Sequence, residues 1–126
     1  MLRSLWLKFM LNVSSNQISA ILKLTFGQMQ SNPKIRKLLA KIMEEVIEIG
    51  KFEGVKNTET MIEEAFSAFD TMTPNGKTSM LQDIESGRKT EVEMFAGTII
   101  NLGLKHNIPT PYNTILYELI NAIEKG

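Results

Sequence analysis

Lys8, Asn12 and Asn16 recur at every fourth residue, so on a regular helix they fall within an arc of roughly 80° and about 12 Å of length. One ammonium and two carboxamides thus form a polar line along a segment otherwise built from Leu5, Trp6, Leu7, Phe9, Met10, Leu11 and Val13. Any surface helix must point something polar at water, and a solvent-facing stripe is one reading. A surface helix usually exposes mixed Glu and Lys, however, whereas this stripe offers a point charge with three donors followed by two groups that each donate and accept. That set suits a ligand carrying a carboxylate and hydroxyls, and the ammonium is able to pass a proton to an oxygen. On spacing alone both readings stay open.

A second constellation, KTSMLQDIESGRKTEVE from Lys77 to Glu93, places two short helices head to tail around Gly87. Ser79 with Gln82, and Thr90 with Glu93, have the spacing of capping boxes. Ser79 and Glu91 fall at the two helix starts, where unpaired N–H groups and partial positive charge gather, so they read either as ordinary caps or as part of an anion site. His106, the only histidine, stands in a last helical turn with no second ligand near it in sequence and reads as structural. No pair of His, Asp or Glu recurs at a metal-ligand spacing, so no metal is expected. There is no glycine-rich phosphate loop, and the chain cannot by itself build a βαβ nucleotide site.

The elements that must position these groups are helices, because apolar residues recur with helical spacing throughout and nowhere alternate as in a strand. The fold class is therefore all-α. The first segment is predicted from Leu2 to about Ser15, with a break near Asn16 and a second short helix over 18–24, after which Gly27 marks a turn. Asn32 with Pro33 opens a helix whose apolar stripe runs from Ile35 to Ile49 and which Gly50 and Gly54 close. Thr60 and Glu63 cap the next, ended by the Pro74-Asn75-Gly76 turn. Thr90 opens a helix that frays near His106 and Asn107, and Thr110 with Pro111 starts the last one. The eight methionines read as core filler.

With 126 residues, one domain over 1–126 and one core are the expectation. Lysine plus arginine and aspartate plus glutamate number 14 each, which leaves no basic field for nucleic acid or an anionic membrane. The absence of cysteine removes disulfides and thiolate chemistry and suits a cytoplasmic address. Lys8 interrupts the apolar N-terminal run, no small-residue cleavage site follows, and no stretch approaches the roughly 20 residues needed to span a bilayer.

From Ser79 to Glu93 the sequence resembles the signature of the ketopantoate reductase (2-dehydropantoate 2-reductase) C-terminal domain. The likeness continues through Gly103 and His106-Asn107-Ile108-Pro109-Thr110-Pro111-Tyr112-Asn113, and Trp6-Leu7-Lys8 with Asn12 and Asn16 is similar to the family's W-x-K-x-x-x-N-x-x-x-N. It covers essentially the whole chain. The resemblance implies a compact multi-helix domain of the 6-phosphogluconate dehydrogenase C-terminal type, without its Rossmann domain. It further implies NADPH-dependent reduction of a small 2-keto acid, ketopantoate, to pantoate in the pantothenate and coenzyme A pathway. By the same resemblance Lys8 is the catalytic proton donor, Asn12 and Asn16 are substrate-binding amides, Ser79 lies near the substrate carboxylate, and Glu91 orients the lysine and the substrate hydroxyl. NADPH falls mainly to the absent Rossmann partner domain, so this chain alone is expected to be inactive. Gln17 departs from the family, which often has proline there. The alternatives are a stand-alone helical interaction module and a reductase of another 2-keto acid. Apolar residues going nearly all the way round the first helix, from Leu2 to Val13, imply a homo-oligomer that buries part of it.

Overall fold

The polar run Ser14-Ser15-Asn16-Gln17 does not break the first helix. In the computed structural model, which describes residues 2–125, α1 runs unbroken over Leu2–Leu22. These side chains are buried, and their competition for the backbone is resolved inside the turn itself. The hydroxyls of Ser14 and Ser15 donate to the carbonyls of Met10 and Leu11, and the Gln17 amide donates to Val13 O at 2.9 Å. Burial among neighbouring helices thus overrides weak helix propensity. Lys23, in the left-handed region with φ 58°, turns the chain out of α1.

Glycines expected to end elements instead mark close approaches. Gly27 lies inside α2 (Phe26–Gln30), which a Thr25–Gln28 capping box opens. A Cβ on Gly27 would sit 2.9 Å from Pro74 Cβ. Helix α3 (Pro33–Phe52) starts as predicted, with the Asn32 side chain accepting from Lys34 and Ile35 N–H, but it continues through Gly50. There the Trp6 indole crosses, donating to Val46 O at 3.0 Å, and a Cβ on Gly50 would lie 2.4 Å from its Nε1. Gly54, at φ 95°, closes the element.

Helix α4 (Met61–Phe69) has no side-chain cap from Thr60. The Thr60 hydroxyl donates to Glu64 at 2.7 Å, and Arg3 reaches across from α1 to both carboxylate oxygens of the same glutamate. Helix α5 (Ser79–Glu85) follows the Pro74–Gly76 turn. Thr90 and Glu93 do not form the predicted capping box either. Thr90 donates to the Glu124 carboxylate through its N–H at 2.6 Å and its hydroxyl at 2.5 Å, and Glu93 accepts from the Tyr117 hydroxyl at 2.5 Å. A single π-helical turn over Glu93–Gly97 leads into α6 (Thr98–His106), ended by Asn107 at φ 58°. Buried Glu45 of α3 caps α7 (Pro111–Lys125), accepting from Tyr112 N–H at 3.0 Å, Asn113 N–H at 2.9 Å and the Asn113 amide at 2.8 Å.

Helix α1 is the central strut, packed on α3, α4, α5 and α7. Met10, Val13, Leu39, Ile42, Met43, Val46, Ile49, Met61, Phe69, Ile99 and Ile120 are sealed in one core. That packing also consumes most of the apolar surface expected to remain on α1, leaving only Leu2 and Leu5 of the eight apolar residues from Leu2 to Val13 exposed. The larger exposed apolar face lies elsewhere, on α7. Tyr112, Ile115 and Leu119 border an apolar groove of about 250 Å³ floored by Ile18, Leu38 and Ile42.

Candidate active site

Because α1 is unbroken through Asn16, Lys8, Asn12 and Asn16 do share one face of one helix. They differ in depth: Lys8 is exposed, Asn12 half-buried and Asn16 only 6% exposed. A uniformly solvent-facing stripe would not show this gradient. Asn16 ends against the start of α5, where its Oδ1 accepts from the Ser79 hydroxyl and from Met80 N–H, each at 3.2 Å. Two segments 63 residues apart are thereby joined directly.

Thr78, not Ser79, is the cap of α5, its hydroxyl oxygen accepting from Leu81 N–H at 3.2 Å. Serine and threonine are both favoured at N-caps, so residue type alone does not fix the register. The shift by one position releases the Ser79 side chain for Asn16, while Gln82 bonds Lys77 O instead of completing a box. Asn16 and Thr78 satisfy Met80 and Leu81 N–H, and through Met80 N–H the start of α5 is docked on α1.

A chain of hydroxyls backs this contact. Ser19 Oγ donates to Asn16 O at 2.9 Å and lies 2.5 Å from Thr78 Oγ1. Since the Ser19 proton is used on the carbonyl, Thr78 donates to Ser19, and the four groups form one directed series from Leu81 N–H to Asn16 O. Ser19 and Thr78, both buried, escaped the sequence reading because nothing in their local spacing marks them. Neither does local spacing reveal the buried link from the Gln17 amide to Asn113 Oδ1 at 3.2 Å.

Glu91 is exposed just ahead of the π-helical turn, its carbonyl accepting from Met94 and Phe95 N–H. The Phe95 ring lies 6.4 Å from Phe9, the neighbour of Lys8, and so docks this segment on α1. Among the described residues no hydrogen bond or ion pair links Lys8, Asn12 or Glu91 to one another or to the Asn16–Ser79 pair, and all three side chains lack protein partners. His106 bonds Glu53 at 2.6 Å and stacks near Phe52, at the junction of α3 and α6. No cluster of three His, Cys, Asp or Glu able to hold a metal occurs among the described residues.

Residues 1–124 match the family described as "Ketopantoate reductase PanE/ApbA C terminal". Curated relatives include the 2-dehydropantoate 2-reductase of Pyrobaculum aerophilum, 29% identical over 94% of this chain and 42% of the relative. That of Archaeoglobus fulgidus is 28% identical over 97% of this chain and 40% of its own length. Among solved structures, the dimeric ketopantoate reductase of Staphylococcus aureus superposes with a TM-score of 0.89 at 27% identity, over 98% of this chain and 43% of that one. D-mandelate dehydrogenase in ternary complex with NADH and anilino(oxo)acetate gives 0.88 at 28% identity, over 98% and 41%. The chain spans about two fifths of the length of each relative. An all-helical architecture in which the W-x-K-x-x-x-N-x-x-x-N face docks on the S-M-x-Q-D segment, with a match over nearly every residue, means that the chain belongs to the ketopantoate reductase C-terminal family.

Proposed function

We propose that this chain is the substrate-binding part of an NADPH-dependent reductase that converts ketopantoate to pantoate. The observation that carries the reading is the Asn16–Ser79 contact, which turns two separate sequence motifs into one surface. Lys8 acts as general acid, its ammonium giving a proton to the keto oxygen as the carbon accepts hydride, and Glu91 orients Lys8 and the substrate hydroxyl. Asn12, Asn16 and Ser79 hold the substrate. The described residues contain no strand and no glycine-rich turn at a helix start, so they do not fit a dinucleotide. A bound nicotinamide supplies the hydride, and its site belongs to a partner domain outside these 126 residues.

A second keto acid substrate is favoured by one observation, the likeness to D-mandelate dehydrogenase holding anilino(oxo)acetate. Joining this chain to the nucleotide-binding portion of the Staphylococcus aureus relative and following NADPH oxidation with each keto acid separates the two readings. Lys8→Ala is expected to lower turnover on the preferred acid about 100-fold or more while leaving the KM for NADPH unchanged. Turnover preserved in Lys8→Ala would remove Lys8 from the chemistry. The isolated chain is expected to give no calorimetric signal with micromolar NADPH, and stoichiometric binding would show that it carries a nucleotide site of its own.

No helix of the described residues is long and apolar enough to cross a membrane, and a cytoplasmic, self-associating protein is the proposed setting.

A further inference from the structure

We propose that Asn75 is a site of self-modification, which converts it to isoaspartate and aspartate, and that the folded turn around it holds the reaction in check. Asn75 is the only asparagine in the chain that glycine follows. Its side chain is exposed, and no hydrogen bond ties its amide to a protein group among the described residues. The Gly76 nitrogen, once it has lost its proton, bonds to Asn75 Cγ as the bond from Cγ to the side-chain nitrogen breaks and ammonia leaves. Water then opens the resulting cyclic imide at either carbonyl. Cleavage on the main-chain side leaves Gly76 attached through the side-chain carbon as isoaspartate, and cleavage on the other side leaves aspartate. The sum is water taken up and ammonia released.

The fold itself places these two residues side by side. Asparagine is favoured in the Thr73–Gly76 turn, and glycine is favoured at its end by close packing. A Cβ on Gly76 would lie 3.1 Å from Thr73 O and 3.3 Å from the Phe26 ring, which is itself held edge-on against Phe69 with ring centres 6.1 Å apart. The same turn supplies the check. Gly76 N–H donates to Thr73 O at 2.9 Å, and the nitrogen must give up that bond before it loses its proton and swings onto Cγ. The turn is also pinned to α2, with Pro74 O accepting from Gly27 N–H at 2.8 Å and Gly76 O from Phe26 N–H at 3.0 Å. Reaction therefore runs from the locally opened turn, at a rate scaled by the opened fraction. Isoaspartate adds a carbon atom to the main chain between those two pins, so both cannot stay in register and the opened turn is made permanent.

The test incubates the full chain at mildly alkaline pH, folded in buffer and unfolded in guanidinium chloride. The Asn75-Gly76 peptide is followed by mass spectrometry with fragmentation that separates isoaspartate from aspartate. Both products are expected at Asn75 in the unfolded chain, and in buffer they are expected to form about tenfold or more slowly. Gly76→Ala, read in denaturant where folding plays no part, is expected to slow conversion, because a Cβ crowds the attacking nitrogen. Pro74→Ala frees the φ that proline presets in the turn, and a variant that keeps its helical dichroism is expected to convert faster in buffer than the parent. Hydrogen exchange at Gly76 N–H gives a readout without substitution, and protection is expected there. An intact Asn75 in denaturant, or conversion undiminished in Gly76→Ala, overturns the site. Equal rates in buffer and denaturant, a folded Pro74→Ala chain no faster than the parent, or an unprotected Gly76 N–H overturns the check by the turn.

Discussion

Glu45 shows how much a single buried side chain carries. Its carboxylate has no countercharge and is held by three N–H groups at the start of α7, which adds negative charge where the helix favours it. Glu45→Ala leaves Tyr112 and Asn113 N–H unpaired, and we expect a loss of about 3 kcal/mol in urea unfolding, with Glu45→Gln recovering part of it. Nothing in the local sequence announces this role, since the cap comes from a residue 68 positions away from Asn113. Lys8, Asn12 and Asn16 were legible because helical spacing alone places them on one face, whereas the partnership of Asn16 with Ser79 depends on which of two adjacent capping residues wins the cap. Surface pairs set the pH response. Hydrogen bonds from Arg3 and Thr60 pull the Glu64 carboxyl down to about 2, and Arg36 and His106 lower Asp70 and Glu53. Their folded values lie below the unfolded ones, so this stabilisation is complete at neutral pH and is lost as pH falls through roughly 5 toward 2. In Glu64→Gln the urea midpoint is expected to vary less with pH across that window. An unchanged slope would mean that the α1–α4 clamp is not titrating there.

The sequence predicts two pieces where α1 is one helix. Ser, Asn and Gln in sequence look like a stop because in water they compete for the backbone, and only burial among α3, α5 and α7 turns that competition inward. The π-helical turn was likewise invisible to periodicity, as one extra residue in a turn leaves the apolar spacing on either side intact. Helix starts set by local chemistry, at Asn32-Pro33 and Thr110-Pro111, were readable for the opposite reason. Gly50 ties these observations together, because α1 and α3 approach so closely there that a side chain would meet the Trp6 ring. Gly50→Ala is expected to cost about 1–3 kcal/mol in thermal unfolding through displacement of the indole. A neutral effect would mean that α1 tilts away without penalty.

The molecule as a whole presents the larger part of its apolar surplus on α7, with Leu2 and Leu5 the smaller part on the first turns of α1. Net charge is zero, so no net charge repulsion opposes the approach of two copies. If the chain self-associates through the groove beside α7, Ile115→Glu, at a position 57% exposed, is expected to shift a light-scattering dilution series toward 14.2 kDa. Leu5→Glu is expected to leave that series as in the parent. The opposite pattern would return the association surface to α1.

Trp6 is the only tryptophan, and its N–H is bonded to Val46 O across the α1–α3 crossing. The chain therefore carries an intrinsic optical reporter at one defined joint. Indole emission follows the hydration of that ring, so fluorescence tracks the undocking of the Lys8 end of α1, while far-ultraviolet dichroism tracks helix content throughout. Divergence of the two curves on heating would identify partial opening at the Lys8 end of α1 while most of the helix content is still in place.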